Sequence, residues 1–117
     1  MSAEHPPVLD PDVLSELREL LEDGYGELLQ SYLDDLASQI EALELALMSG
    51  AATTLGQIAH KLKSASGSVG AQRLSALAFE LEQIGKSGDL GTALPALARL
   101  EAVAHETQAA ISAELAA

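Results

Sequence analysis

The sequence predicts an all-α fold, an antiparallel four-helix bundle with an additional short N-terminal helix. Leu and Ala together fill more than a third of its 117 positions, and both are strong helix formers. Tyr25, Tyr32 and Phe79 are its only aromatics and β-branched residues are few, so the types that favour sheets are scarce. Apolar residues recur at helical spacing in segments punctuated by Gly, Pro and Ser. A hydrophobic fraction of 48% supports a packed core despite a formal net charge of −12, and the length suits one domain.

Residues 1–9 read as a flexible lead-in, because His5-Pro6-Pro7 cannot enter a helix, and 10–117 as the single domain. Asp10-Pro11 is a helix start, with Asp as N-cap and Pro in the first turn. The first helix runs to about Glu22, with Val13, Leu14, Leu17, Leu20 and Leu21 on one broad face, and Gly24 and Gly26 break it. The second, roughly 26–48, carries Leu29, Leu33, Leu36, Ile40, Leu43 and Leu47 at alternating steps of four and three. Ser49-Gly50 ends it, and a third helix follows over about 52–68. After Gly70 a fourth spans about 72–85, with Leu74, Leu77, Ala78, Leu81 and Ile84 on one side. Residues 85–89 form a loop. Thr92 caps a fifth helix that keeps Pro95 in its first turn and is lined by Leu97, Leu100, Ala104, Ile111 and Leu115. Short connections between amphipathic helices imply antiparallel neighbours, with the first helix as a lid.

Composition narrows the function. There is no cysteine, hence no disulfide framework or thiolate chemistry. The N-terminus has neither the basic nor the apolar region of a secretory signal, and no apolar run approaches membrane-spanning length. Eighteen acids against six bases disfavour nucleic acid and anionic membranes as partners. A cytoplasmic, monomeric protein is the expectation. Yet the 35 residues between Glu44 and Glu80 contain no acid and hold Lys61, Lys63 and Arg73, half of the basic residues. That local positive potential suits a small anion; the competing explanation is that an Ala/Ser-rich stretch simply lacks acids.

Within this stretch, at about 100° per residue, Leu55, Ile58, Leu62, Ala65 and Val69 centre roughly opposite His60, so the imidazole points outward. Gly56 and Gly67 lie within about 40° of it, Lys63 about 60° to the same side, and Ser64 and Gln57 on the other. Glycine costs roughly 1 kcal/mol relative to alanine in a helix. Clearing space around a side chain that a macromolecule must reach explains that cost, and a close helix crossing explains it equally. The positions three and four away hold Gly56, Gln57, Lys63 and Ser64, which make no metal site. No acid within fifteen residues is available to orient the ring as in a triad. What survives is an exposed imidazole nucleophile, with Lys63 able to hold an incoming anion. His5 and His105 have no such context.

The run Ala59-His60-Lys61-Leu62-Lys63-Ser64-Ala65-Ser66-Gly67-Ser68-Val69-Gly70-Ala71, continuing to Leu74, Leu77 and Leu81-Glu82, resembles the histidine-containing phosphotransfer (HPt) domain. The likeness extends over 10–117 through helix order and lengths, and its specific part is 59–82. It implies a phosphorelay intermediate that accepts a phosphoryl group on His60 from a receiver aspartyl phosphate and passes it to another receiver. Lys63 falls on the family's phosphate-contacting lysine and Gly70 on its glycine before the fourth helix. Ser64 replaces the commoner glycine. Gln57, placed by the helical wheel alone, is positioned to orient His60 or its phosphate, and Gly67 to keep the approach open. The partners implied are receiver domains of hybrid kinases and response regulators, docking on an apolar surface beside the histidine that includes Leu14, Leu17, Leu21, Leu28, Gly56 and Lys61. No cofactor is expected in this chain; Mg²⁺ would come with the receiver. Lacking a nucleotide-binding loop and a catalytic acid, the domain should be a carrier rather than an ATP-dependent kinase. The alternatives are the phospho-accepting domain of a chemotaxis-type kinase, disfavoured because such a domain heads a long chain, and an HPt-like interaction domain without chemistry.

Overall fold

The leucines that recur at steps of four and three become the inner faces of four helices. A computed structural model describes residues 7–117: α1 (Pro11–Leu21), α2 (Gly24–Met48), α3 (Ala52–Ser68), α4 (Gln72–Ser87), a 3₁₀ turn (Leu90–Thr92) and α5 (Ala93–Ala116), with no strand among the described residues. Leu29, Leu36 and Leu43 of α2, Leu55 and Leu62 of α3, Leu74 and Leu81 of α4, and Leu100 and Ile111 of α5 are fully buried in one core. α2 packs on α3 and α5, and α4 packs on the same two, which closes the antiparallel bundle. The lead-in expected over 1–9 lies outside the described residues as far as residue 6, and His5 with it; Leu9 packs against the core.

Three boundaries differ from the sequence reading. Gly24 and Gly26 do not break the chain but begin α2, where glycine in the first turn costs little. The reversal falls on Glu22, at φ 49° and ψ −113°, whose N–H donates to the Arg18 carbonyl. α4 continues through Gly85 to Ser87 before Gly88 ends it. Thr92 makes no side-chain cap; the Asp89 carboxylate accepts from the Gly91 N–H at 2.9 Å and starts the turn instead.

α1 closes one end of the bundle. The Asp10 side chain caps it by accepting from the Asp12 N–H at 2.9 Å, and the Asp10 N–H donates to the Gly70 carbonyl at 2.9 Å. Gly70 sits at φ +81°, and a Cβ there would stand 3.1 Å from that of Val13, so conformation and close approach both require glycine. Farther along, Arg18 pairs with Glu114 and lies over the Tyr25 ring, whose hydroxyl donates to Glu114 at 2.9 Å. Covering this end uses the apolar face of α1. Leu14, expected on a partner-facing surface, is therefore buried in the core, and Leu17 and Leu28 pack partly against it. Of the four leucines in that expected set only Leu21 is exposed, beside the more exposed Leu20, and Lys61 is exposed on α3.

α3 and α4 make the closest contact in the bundle. Gly56 and Gly85 face each other there: a Cβ on Gly85 would lie 2.6 Å from the Gly56 Cα and N and 2.8 Å from the Ala52 carbonyl oxygen. On the opposite flank, the buried Tyr32 hydroxyl of α2 meets the Ser66 hydroxyl of α3 at 2.7 Å, and burial pushes the Tyr32 phenol up to about 12. These contacts fix the rotation of α3.

Gly85→Ala should push the two helices apart and destabilise the fold by about 1–3 kcal/mol. A Cβ on Gly56 finds only ordinary contacts at 3.5 Å, so Gly56→Ala should be neutral or slightly stabilising through helix propensity; urea denaturation of both variants checks the contrast. A second expectation concerns Glu101 on α5, whose carboxyl is raised to about 7 by hydrogen bonding to the Glu44 carboxylate and by burial. The folded state then holds a proton that the unfolded chain releases near 4.5, so this group's contribution falls as pH rises through about 7. Glu101→Gln should raise the melting temperature at pH 8 and leave it unchanged at pH 4.

Candidate functional site

The rotation of α3 turns His60 outward, and its side chain is 58% exposed. The same rotation sets one edge of the imidazole against α4, where Glu82 waits. The His60 Nδ1–H donates to Glu82 Oε2 at 2.8 Å. Lys63 Nζ lies 3.0 Å from Oε1, and Lys86, one turn along α4, lies 3.4 Å from Oε2. Glu82 is thus a buried carboxylate, 4% exposed, hydrogen-bonded to His60 and ion-paired with two lysines. The Lys63 contact, with those of His60 and Lys86 behind it, outweighs burial and holds the Glu82 carboxyl down to about 2.

That ionisation decides the histidine tautomer. An ionised carboxylate can only accept, so the hydrogen of the neutral ring sits on Nδ1. Nε2, on the exposed side, keeps its lone pair. The arrangement is an exposed ring nitrogen oriented by an acid, the pattern that the sequence around His60 disfavours because no acid lies near it along the chain. The acid comes from 22 residues away. Its signal lay in α4 itself: Ala78, Glu82 and Gly85 share the buried stripe of that helix, where a charged residue needs partners.

Gln57, Lys61, Thr53, Gly56, Gly85 and Lys86 join His60 and Glu82 around an open cleft of about 690 Å³, floored by the two glycines. Its lining comes from α3 and α4, with none from α1. Gly56 is buried at the crossing with α4, on the floor of the cleft rather than on an exposed docking surface, and its backbone is what Gly85 packs against. Gly67 is half-buried, and a Cβ there would lie 3.6 Å from the Ser75 hydroxyl, which itself donates to the Lys63 carbonyl at 2.8 Å. The sector of the wheel that looked open beside His60 is the side that α4 covers. Lys63 is held between Glu82 and the face of Phe79, 5.2 Å from the ring centroid. Ser64 is exposed on the far side, its carbonyl accepting from Ser68 at 3.0 Å, and Gly70 serves the α1 contact. His105 is exposed on α5, away from this cluster. Among the described residues no group of three or more His, Asp or Glu is disposed to hold a metal, and no helix is long and apolar enough to cross a membrane.

The Hpt domain family matches residues 27–113, a span that contains the whole cluster. The chain belongs to the Hpt domain family. Among solved structures it is similar to histidine-containing phosphotransfer protein B (HptB) from Pseudomonas aeruginosa PAO1, with 31% identity and a TM-score of 0.91 over 95% of this chain and 96% of that one. The HPT domain of an Hpt sensor hybrid histidine kinase from Shewanella shares the fold, at 23% identity and a TM-score of 0.79, over 93% of this chain and 94% of that one. No curated protein sequence matches. Hpt domains interact with receiver domains in phosphorelays, and the all-helical bundle with one extra N-terminal helix is consistent with these HPt structures.

Glu82→Gln keeps the size of the side chain and removes its charge. The His60 ring should lose its single tautomer, which ¹⁵N shifts of the two ring nitrogens report directly. Acceptance of a phosphoryl group should slow by about ten- to a hundredfold, as a charge-assisted contact is lost. Because the folded carboxyl titrates near 2 and the unfolded one near 4.5, its stabilisation is present above 4.5 and disappears as pH falls toward 2. The glutamine variant should show a shallower loss of stability across that window.

Proposed function

We propose that this Hpt domain is a phosphorelay carrier in two-component signalling, taking a phosphoryl group onto His60 from the aspartyl phosphate of one receiver domain and delivering it to the aspartate of another. One observation carries the reading: Nδ1 of an exposed histidine is occupied by a buried, ionised glutamate, which leaves Nε2 as the only nucleophilic nitrogen of the ring. In the first transfer the Nε2 lone pair attacks phosphorus, an N–P bond forms, and the P–O bond to the donor aspartate breaks. The electrons of that bond leave with the carboxylate. As the N–P bond forms the imidazole becomes cationic, and the Glu82 carboxylate, already 2.8 Å away, faces that charge without reorganisation. The second transfer reverses these bonds. No proton need move in either direction.

Lys63 supplies a cation on the carboxylate that orients His60, and Lys61 and Lys86 stand at the rim of the cleft. The remaining charge of the phosphoryl oxygens falls to the receiver, whose own acidic site would bring Mg²⁺; this chain contributes positioning, one nucleophile and its orienting acid. His60, Glu82, Lys63 and Lys86 all come from one chain, which supports a monomeric carrier. Receivers of hybrid kinases and response regulators are the partners this chemistry fits, in the cytoplasm where they reside. Docking centres on the exposed face of α3 and α4 around His60 rather than on the covered face of α1.

Incubation with a phosphorylated receiver domain should label the wild-type protein, with acid-labile and base-stable phosphate, and should leave His60→Gln unlabelled. Label on His60→Gln at the wild-type level would overturn the assignment. A wild-type protein that binds receivers without ever taking phosphate would make the domain an interaction module.

A further inference from the structure

We propose that Phe79 is a positioning residue for this transfer: its ring holds the Lys63 ammonium beside His60 without neutralising it. The inference rests on the phosphotransfer reading of His60 and extends it to a residue outside the phosphate-handling set. Phe79 is 49% exposed, whereas Tyr25 and Tyr32, the other two aromatics, are buried. It stands on α4 one turn before Glu82, and Lys63 Nζ lies 5.2 Å over its centroid while also 3.0 Å from Glu82 Oε1. The Lys63 side chain is only 29% exposed, low for a residue whose stem ordinarily delivers its ammonium to water.

An ammonium on a four-carbon stem scatters over many rotamers, and this protein surface is rich in carboxylates that would capture it. The face of an aromatic ring attracts a cation through its quadrupole and carries no formal charge. A carboxylate in the same place would hold Lys63 more firmly but cancel the charge that the phosphoryl group needs. An aliphatic side chain would cover the stem but exert no pull on the ammonium. Phenylalanine alone among these restricts and partly desolvates the lysine while leaving its charge intact. Glu82 cannot serve this purpose by itself, because it also faces the imidazole. When Nε2 carries phosphate, Lys63 must shift from Oε1 toward the phosphoryl oxygens, and the ring keeps the ammonium local during that exchange.

The rival reading is that Phe79 is simply an apolar contact for a docking receiver, and a double-mutant cycle separates the two. In single-turnover transfer from a phosphorylated receiver, Phe79→Leu should slow phosphorylation of His60 by about three- to tenfold, and Phe79→Tyr should restore most of the rate. In a Lys63→Gln background, Phe79→Leu should have no further effect. A wild-type rate in Phe79→Leu, or an equal loss with and without Lys63, overturns the proposal. Independently of any phosphate, the ring current of Phe79 should shift the Lys63 Hε protons upfield in the free protein, and Phe79→Leu should abolish that shift; its absence in the wild type equally overturns the contact. A wild-type protein that shows the shift but accepts no phosphoryl group overturns the phosphotransfer reading, and the positioning role with it.

Discussion

The near-contact of Gly56 and Gly85 is the constraint on which the site depends. Because Gly85 carries no side chain, the backbones of α3 and α4 approach closely enough at Gly56 for Glu82, rooted on α4, to reach the imidazole of His60 on α3. The same missing side chains hollow out the cleft in front of the histidine. Packing and chemistry thus rest on one feature. Tyr32 and Ser66 serve it from the far side of α3, because any roll of that helix would swing His60 away from its acid.

Electrostatically, the site inverts the character of the molecule. A protein of net charge −12 gathers two lysines and an imidazole around a single buried carboxylate. A buried ion is tolerated only when partners replace the water it has lost, and Glu82 has the His60 hydrogen bond on Oε2 and the Lys63 ammonium against Oε1. The carboxylate fixes the tautomer and anchors Lys63, and in the proposed transfer it is the counter-charge to a cationic ring. Since it is already desolvated and aligned before any substrate arrives, little solvent must rearrange during transfer.

Much of this was legible in the sequence. The leucine steps of α2 and the Asp10-Pro11 start give helices at the expected places because burial and capping are local in sequence. The angle of His60 opposite Leu55, Leu62 and Val69 likewise gives its exposure. What a helical wheel does not contain is which neighbour covers each flank of the outward face. Gly56, Gly67 and Lys63 all lie to one side of His60, and that side belongs to α4, so residues that looked solvent-facing are interhelical or paired. Glu82 escaped because its partnership spans 22 residues, although its place on the buried stripe with Ala78 and Gly85 marked it as a charge in need of company. Leu14 was misplaced for the complementary reason: a short amphipathic helix exposes its apolar face until the end of the bundle it covers is known.

The arrangement of α1 also bears on how such a carrier can be tethered. Arg18 and Tyr25 meet Glu114, and Asp10 meets Gly70, so the stretch that leads into α1 and the close of α5 lie at the same end of the bundle. The cleft opens toward the other end, where α3 begins and α4 finishes. A linker joined at either side of the domain would therefore leave His60 unobstructed. Fusing a receiver through such a linker would raise its effective concentration at the histidine without new contacts, so that one scaffold suits both a freely diffusing shuttle and a module on a leash.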